Sequence, residues 1–168
     1  LWSWHIWLTD HPESHQYYNG AGIMMDRNVG ATSAVPGDAG ALGLLYQWGR
    51  KDPFLGSSSI SENIKAKSTL NRTPTVMSSP SSGTIEYAVA NPATMITGND
   101  ADGDWYYTED ASVEDTRWTE SDCSKSIYDP CPPGWRVPDG GSEGIWAKAT
   151  GATSPTTSGK YDDNSKGE

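Results

Sequence analysis

The chain has 168 residues, a net charge of −10, and eight Trp and eight Tyr against a single Phe. That length suits one domain with a core of its own. The negative field repels a phosphate backbone, which argues against nucleic acid as a partner. No apolar run approaches the roughly 20 residues of a membrane-spanning helix. Eighteen Gly and eleven Pro predict many turns and short elements rather than long helices.

Leu1 to Leu8 alternates, with Trp2, Trp4, Ile6 and Leu8 on one side and Ser3, His5 and Trp7 on the other. This predicts a strand buried on one side. With no initiator Met or leader ahead of that strand, the chain is expected to be excised from a longer precursor or otherwise trimmed. His11 to His15 reads as a polar loop, and Gly22 to Asn28 as a second short strand. Pro36 to Arg50 is the best helix candidate. Asp38 caps it, Leu42, Leu45 and Tyr46 form its apolar stripe, and Gly49 supplies a left-handed end. Phe54 and Leu55 are expected to tuck onto the core. Gly56 to Ser82 is a polar surface excursion with room for one short element. Ile85 to Ala90 is strand or helical turn, ended by Asn91-Pro92, and Met95 to Thr97 is a brief apolar segment. Trp135 to Pro138 predicts a strand. It leads through a Gly-rich turn, with Ser142 as cap, into a helix over Ile145 to Ala149. The boundaries expected are a domain over 1–150 and a polar tail over 151–168, poorly ordered by itself.

Charge is concentrated between Asp100 and Asp122, where nine carboxylates face the single cation Arg117. Asp100, Asp102 and Asp104 alternate in a way that invites Ca2+, because hard cations gather oxygens from a tight turn. As an EF-hand the run fails, with Trp105 where Gly is required and Ala111 where the bidentate Glu belongs. A different calcium loop and a solvated acidic turn both remain open. Trp105, Tyr106 and Tyr107 beside it form a candidate stacking platform for a sugar ring or a protein partner. Neighbours on a strand face opposite ways, so at least one of these rings belongs to the core.

Other constellations carry less. His11 and His15 are four apart, but Pro12 opposes a helix there and no Glu-x-x-His signature accompanies them. Arg27 and Arg50 sit near turns, and one or the other is expected to pair with a buried carboxylate that locks the loops. Acidic residues abound, yet no placed pair marks a glycosidase, and no nucleophile signature is present. Cys123 and Cys131 lie eight apart. They fit a disulfide between them, two free thiols, or a Cys131 whose partner lies beyond this chain.

Several blocks in order resemble a known family. They are Leu1-Trp-Ser-Trp-His-Ile-Trp-Leu-Thr-Asp10, Met25-Asp-Arg-Asn-Val-Gly-Ala31, Leu45-Tyr-Gln-Trp-Gly-Arg-Lys-Asp-Pro-Phe54, Asp104-Trp-Tyr-Tyr107 and Ile127-Tyr-Asp-Pro-Cys-Pro-Pro-Gly-Trp-Arg-Val-Pro138. They span almost the whole chain and resemble the fimbrillin-associated surface proteins of Bacteroidetes that carry the Fibrobacter succinogenes major paralogous domain. The resemblance implies an α+β, C-type-lectin-like fold of short strands, one or two short helices and long loops. It further implies display at the cell surface or a pilus, and strands that continue past Glu168. The function so implied is non-enzymatic and adhesin-like, with a glycan or a host or pilus protein as ligand. A structural pilus subunit making only protein contacts is the alternative. Arg136-Val137-Pro138 with Trp146 and Ala149 also looks like a segment of formylglycine-generating enzymes. The catalytic cysteines of that family would lie beyond this chain.

Overall fold

The computed structural model describes residues 2–56, 73–98, 104–109, 117–120, 124–140 and 144–150. In chain order the elements are β1 (Ser14–Tyr17), β2 (Gly22–Met25), β3 (Leu45–Tyr46), β4 (Pro53–Phe54), β5 (Thr75–Met77), α1 (Ile85–Ala90), β6 (Met95–Thr97) and α2 (Ile145–Thr150), with 3-10 turns at Tyr18–Gly20 and Ala39–Ala41. Short strands and two short helices make this a small α+β chain. Among the described residues no helix is long and apolar enough to cross a membrane. Contacts divide the chain into two compact units, one of Leu1–Thr9 with Arg27–Arg136, the other of Asp10–Asp26 with Val137–Glu168.

The second unit is a hairpin carrying a helix. β1 and β2 pair antiparallel, with Ser14 opposite Met25 and Tyr17 opposite Gly22. The reversal uses Asn19-Gly20, whose φ values of 55° and 68° are left-handed, a conformation that Gly and Asn reach at least cost. The same Asn19 donates its Nδ2 to the carbonyls of Lys148 (3.3 Å) and Ala149 (3.0 Å), acceptors that the end of α2 cannot satisfy within the helix. Tyr17 meets Trp146 edge to face at 5.4 Å. Thus one side chain both shapes the turn and secures the helix. α2 runs one residue beyond its predicted end, and β1 begins inside the stretch predicted as polar loop.

In the first unit, β3 and β4 pair antiparallel, and β5 and β6 pair parallel with Val76 opposite Ile96. Between β5 and β6 the chain forms α1. Thr84 caps it by accepting the Tyr87 N–H at 3.1 Å, and Pro92 ends it by removing a donor. Ala88, Ile96 and Trp105 form the core, with Val76, Tyr87 and Tyr106 packed against it. The Trp105 indole N–H donates to the Trp48 carbonyl. Trp118 donates to the Arg50 carbonyl at 3.2 Å and meets Trp48 at 4.5 Å with the rings tilted by 60°.

Much of this interior is polar. Arg50 is only 3% exposed. Its Nη1 donates to Gln47 Oε1 (2.9 Å) and the Thr94 carbonyl (2.7 Å), and its Nη2 to the carbonyls of Ala88 (3.2 Å) and Asn91 (3.1 Å). The Ala88 carbonyl needs this bond, because its helical partner would be the N–H that Pro92 lacks. Gln47 extends the edge of β6 with a side chain, donating to the Ile96 carbonyl at 2.5 Å and accepting its N–H at 3.2 Å. Arg50 therefore locks loops as expected, but through carbonyls rather than a carboxylate. Burial lowers its pKa, and the charge of Asp52 works against that shift.

Three predicted elements are replaced. The helix over 36–50 is reduced to the turn at Ala39–Ala41, where Asp38 does cap by accepting the Gly40 N–H at 2.9 Å. Gly43 and Gly49 stop it, with φ of 67° and 76°. At Gly49 a Cβ would also lie 2.5 Å from that of Arg117. Residues 2–9 are extended but join no ladder among the described residues, and the side carrying Trp4, Ile6 and Leu8 faces out, at 83%, 86% and 89% exposed. The inward residues bind by polar atoms instead. Ser3 donates to Asp52, the Trp7 indole to the Ala31 carbonyl at 2.8 Å, and Thr9 accepts from Arg27 at 3.0 Å. Trp135 to Pro138 likewise lies outside the strands of the described residues. The Lys125 ammonium holds the preceding turn, donating to the carbonyls of Cys131, Pro132 (3.3 Å) and Trp135 (3.0 Å).

Candidate functional site

The first unit holds a shallow cleft partly open to solvent, lined by Gly49, Arg50, Lys51, Asp52, Ile85, Ala88, Val89, Trp105 and Tyr128. β3, β4 and the turn between them supply Arg50 to Asp52, α1 supplies an apolar wall, and the proline-rich segment supplies Tyr128. Lys51 pairs with Asp52 at 2.9 Å, both side chains nearly buried. Its ammonium also donates to the Ser3 carbonyl (2.8 Å) and to Ser3 Oγ (2.5 Å). All three donors of the ammonium are therefore engaged. Lys51 is held as a fixed cation, a state suited to positioning charge and not to abstracting a proton from Ser3.

Trp2 packs beside these residues. Its ring lies 4.4 Å from Lys51 Nζ and 6.2 Å from the Tyr128 ring, and it keeps 40% of its surface exposed. The cation over the ring face fixes the indole. An aromatic side chain so held presents a rigid apolar face with polar groups alongside. Nearby, the Tyr46 hydroxyl meets His5 Nδ1 at 3.2 Å. Burial lowers the His5 pKa against the opposing pull of Asp52, so the ring stays neutral at pH 7. Burial first, and then the charges of Cys131 and Asp52, raise the Tyr46 pKa.

The predicted platform does not converge. Trp105 is a core residue, 3% exposed, and reaches the cleft only as part of its wall. Tyr106 is half-buried, set edge to face with Trp105 at 5.8 Å. Tyr107 is half-buried and tied by its N–H to the Gly83 carbonyl at 2.9 Å. Asp104 is buried against Arg117. Oδ1 accepts from Nη1 at 2.7 Å and from the Tyr106 N–H at 3.1 Å, while Oδ2 lies 2.6 Å from Nη2 as an ion pair. Asp100 and Asp102 lie outside the described residues. Among the described residues no three His, Cys, Asp or Glu side chains group as a metal site.

Cys131 is a free, half-buried thiol, and Cys123 lies outside the described residues. Burial, then the charge of Asp129 and a hydrogen bond to it, push the Cys131 pKa up to about 12. Only the thiolate reacts, so Cys131 in the folded chain should alkylate on the order of 50-fold more slowly than free cysteine at pH 8. Mass mapping of the iodoacetamide adduct, folded against unfolded, measures this. A rate equal to that of free cysteine contradicts the burial. A Cys131 that reacts in neither state without reductant is oxidised.

Lys51, Asp52, Tyr128 and Trp2 were not legible as one site. The visible signal was the adjacent opposite charges of Arg50-Lys51-Asp52. No family model, curated protein or solved structure matches the chain.

Proposed function

We propose that this chain is a non-enzymatic recognition module of C-type-lectin-like fold, displayed at a bacterial cell surface or pilus, that binds a glycan or a protein. The resemblance of its ordered blocks to the fimbrillin-associated surface proteins motivates the fold and the location. The observation that carries the binding reading is the cleft wall of Tyr128 and the fixed Lys51–Asp52 pair with Trp2 beside it. A sugar ring offers apolar C–H faces to an aromatic and hydroxyls to a charged pair. A small wall of this kind supports weak, selective contact. Calcium enters the reading only through Asp100 and Asp102.

A glycan and matrix-protein array probed with the chain is the direct test. Weak binding restricted to a few related ligands is expected, and a uniformly blank array overturns the proposal. The alternative, a structural subunit making only protein contacts, is favoured by the apolar row of Trp4, Ile6 and Leu8. It predicts stable co-purification with pilus subunits and no glycan signal.

A further inference from the structure

Residues 4–8 combine three properties that rarely coexist at a protein surface. Their side chains at Trp4, Ile6 and Leu8 are 83%, 86% and 89% exposed. Their main-chain N–H and C=O groups make no hydrogen bond among the described residues. The stretch from Trp2 to Thr9 has no Asp, Glu, Lys, Arg or Pro, in a chain of net charge −10. Natural proteins usually blunt such an edge with a charge, a proline or a bulge, because it is a template for another strand. Here none of these devices is present.

The segment is also held extended in advance. Ser3 binds Asp52 and Lys51, His5 meets Tyr46, and the Trp7 indole donates to Ala31. The Ser3 and Trp7 contacts alternate with the exposed Trp4, Ile6 and Leu8 and so fix which face looks out. A strand fixed beforehand loses little conformational freedom on pairing.

We propose that this segment is a self-association edge, along which two copies of the chain pair antiparallel about Ile6. The occupant follows from the pattern. In that register Ile6 stands opposite Ile6 and Trp4 opposite Leu8, so each outward position meets an apolar partner. An isologous contact requires just this self-complementarity. Apolar side chains set opposite one another across the two strands pack together, whereas like charges there repel. The absence of charge from this one edge lets two acidic molecules approach there. Edge pairing sets these side chains flank to flank and covers only part of their exposed surface, so the contact is small and the dimer weak.

Analytical ultracentrifugation of the whole chain, from micromolar to hundreds of micromolar, tests this beside Ile6→Lys and Leu8→Lys. Both side chains project into solvent, so melting temperatures should match the parent chain. The parent should show a concentration-dependent monomer–dimer equilibrium. Each variant should raise its dissociation constant at least about tenfold, by setting like charges across the pair or a charge against Trp4. Amide exchange at residues 4–8 should slow as concentration rises. A parent chain monomeric throughout overturns the proposal, as does a dimer indifferent to both substitutions. Ile6→Lys should leave array binding at the Lys51–Tyr128 cleft intact, so failure here is distinguishable from failure of the recognition reading.

Discussion

Replacing Arg50 with Met should cost about 3 kcal/mol or more of folding stability, a large share of the reserve of a small domain. The reason lies in what the guanidinium leaves behind. It satisfies the carbonyls of Ala88, Asn91 and Thr94 and the side chain of Gln47, and Met offers none of those donors. A buried acceptor stranded in this way costs about 1–3 kcal/mol. The Ala88 carbonyl has no helical alternative, because Pro92 carries no N–H. Arg50 also lies 5.3 Å over Phe54 and 5.9 Å over Trp105, contacts that a planar cation makes well. Arg50→Lys should recover only part of the loss, since one ammonium cannot span a fork of acceptors on two segments. Urea unfolding followed by tryptophan fluorescence gives both values. A loss below about 1 kcal/mol in Arg50→Met would mean that water or repacking satisfies those carbonyls.

Asp104→Ala should be comparably damaging, about 3–5 kcal/mol, because it strands a buried guanidinium. The Arg117 side chain is 10% exposed and Asp104 5%, and Arg117 lies over the rings of Tyr106 (5.0 Å) and Trp105 (5.7 Å). Asp104→Asn keeps an acceptor for the Tyr106 N–H and should fall between the two. The condition that separates an ion pair from a metal ligand is calcium. With Arg117 holding both Asp104 oxygens, the loss should be the same in chelator and in millimolar calcium. If the parent gains stability from calcium and Asp104→Ala does not, Asp104 is a calcium ligand and its pairing with Arg117 is secondary.

The parts of this fold legible in the sequence were those set by local punctuation. Pro92 ended α1 where expected, and Ile145 to Ala149 formed the last helix within one residue of its predicted bounds. Met95 to Thr97 became β6, and Asp38 capped a turn although the helix behind it did not form. That helix failed because Gly43 and Gly49 take left-handed angles, a choice set by what approaches them, and at Gly49 that is Arg117, distant in sequence. The hairpin at 14–25 was signalled by Asn19-Gly20, the pair most suited to a tight reversal, but the polar side chains before it masked the strand. The first segment shows the limit of periodicity. A period of two reports alternation, and it does not say which side is inside. In Trp2 to Thr9 the inward side is chosen by hydrogen-bond partners at Ala31, Tyr46 and Asp52, none of them local.

The site was harder still. Trp105 to Tyr107 drew attention as adjacent aromatics, yet their burial follows from Asp104 meeting Arg117 and from Gly83 admitting the chain closely. The cleft gathers Lys51 and Tyr128 from distant stretches, with Trp2 packed beside them, and only Lys51 had a neighbour, Asp52, that hinted at it.

The most direct measurement is the affinity of Tyr128→Ala for whichever array ligand the parent chain binds, read by titration calorimetry beside each protein's melting temperature. Recognition at this wall predicts about tenfold or greater weakening with little change in melting. Undiminished affinity in the folded variant would place binding elsewhere and contradict the account.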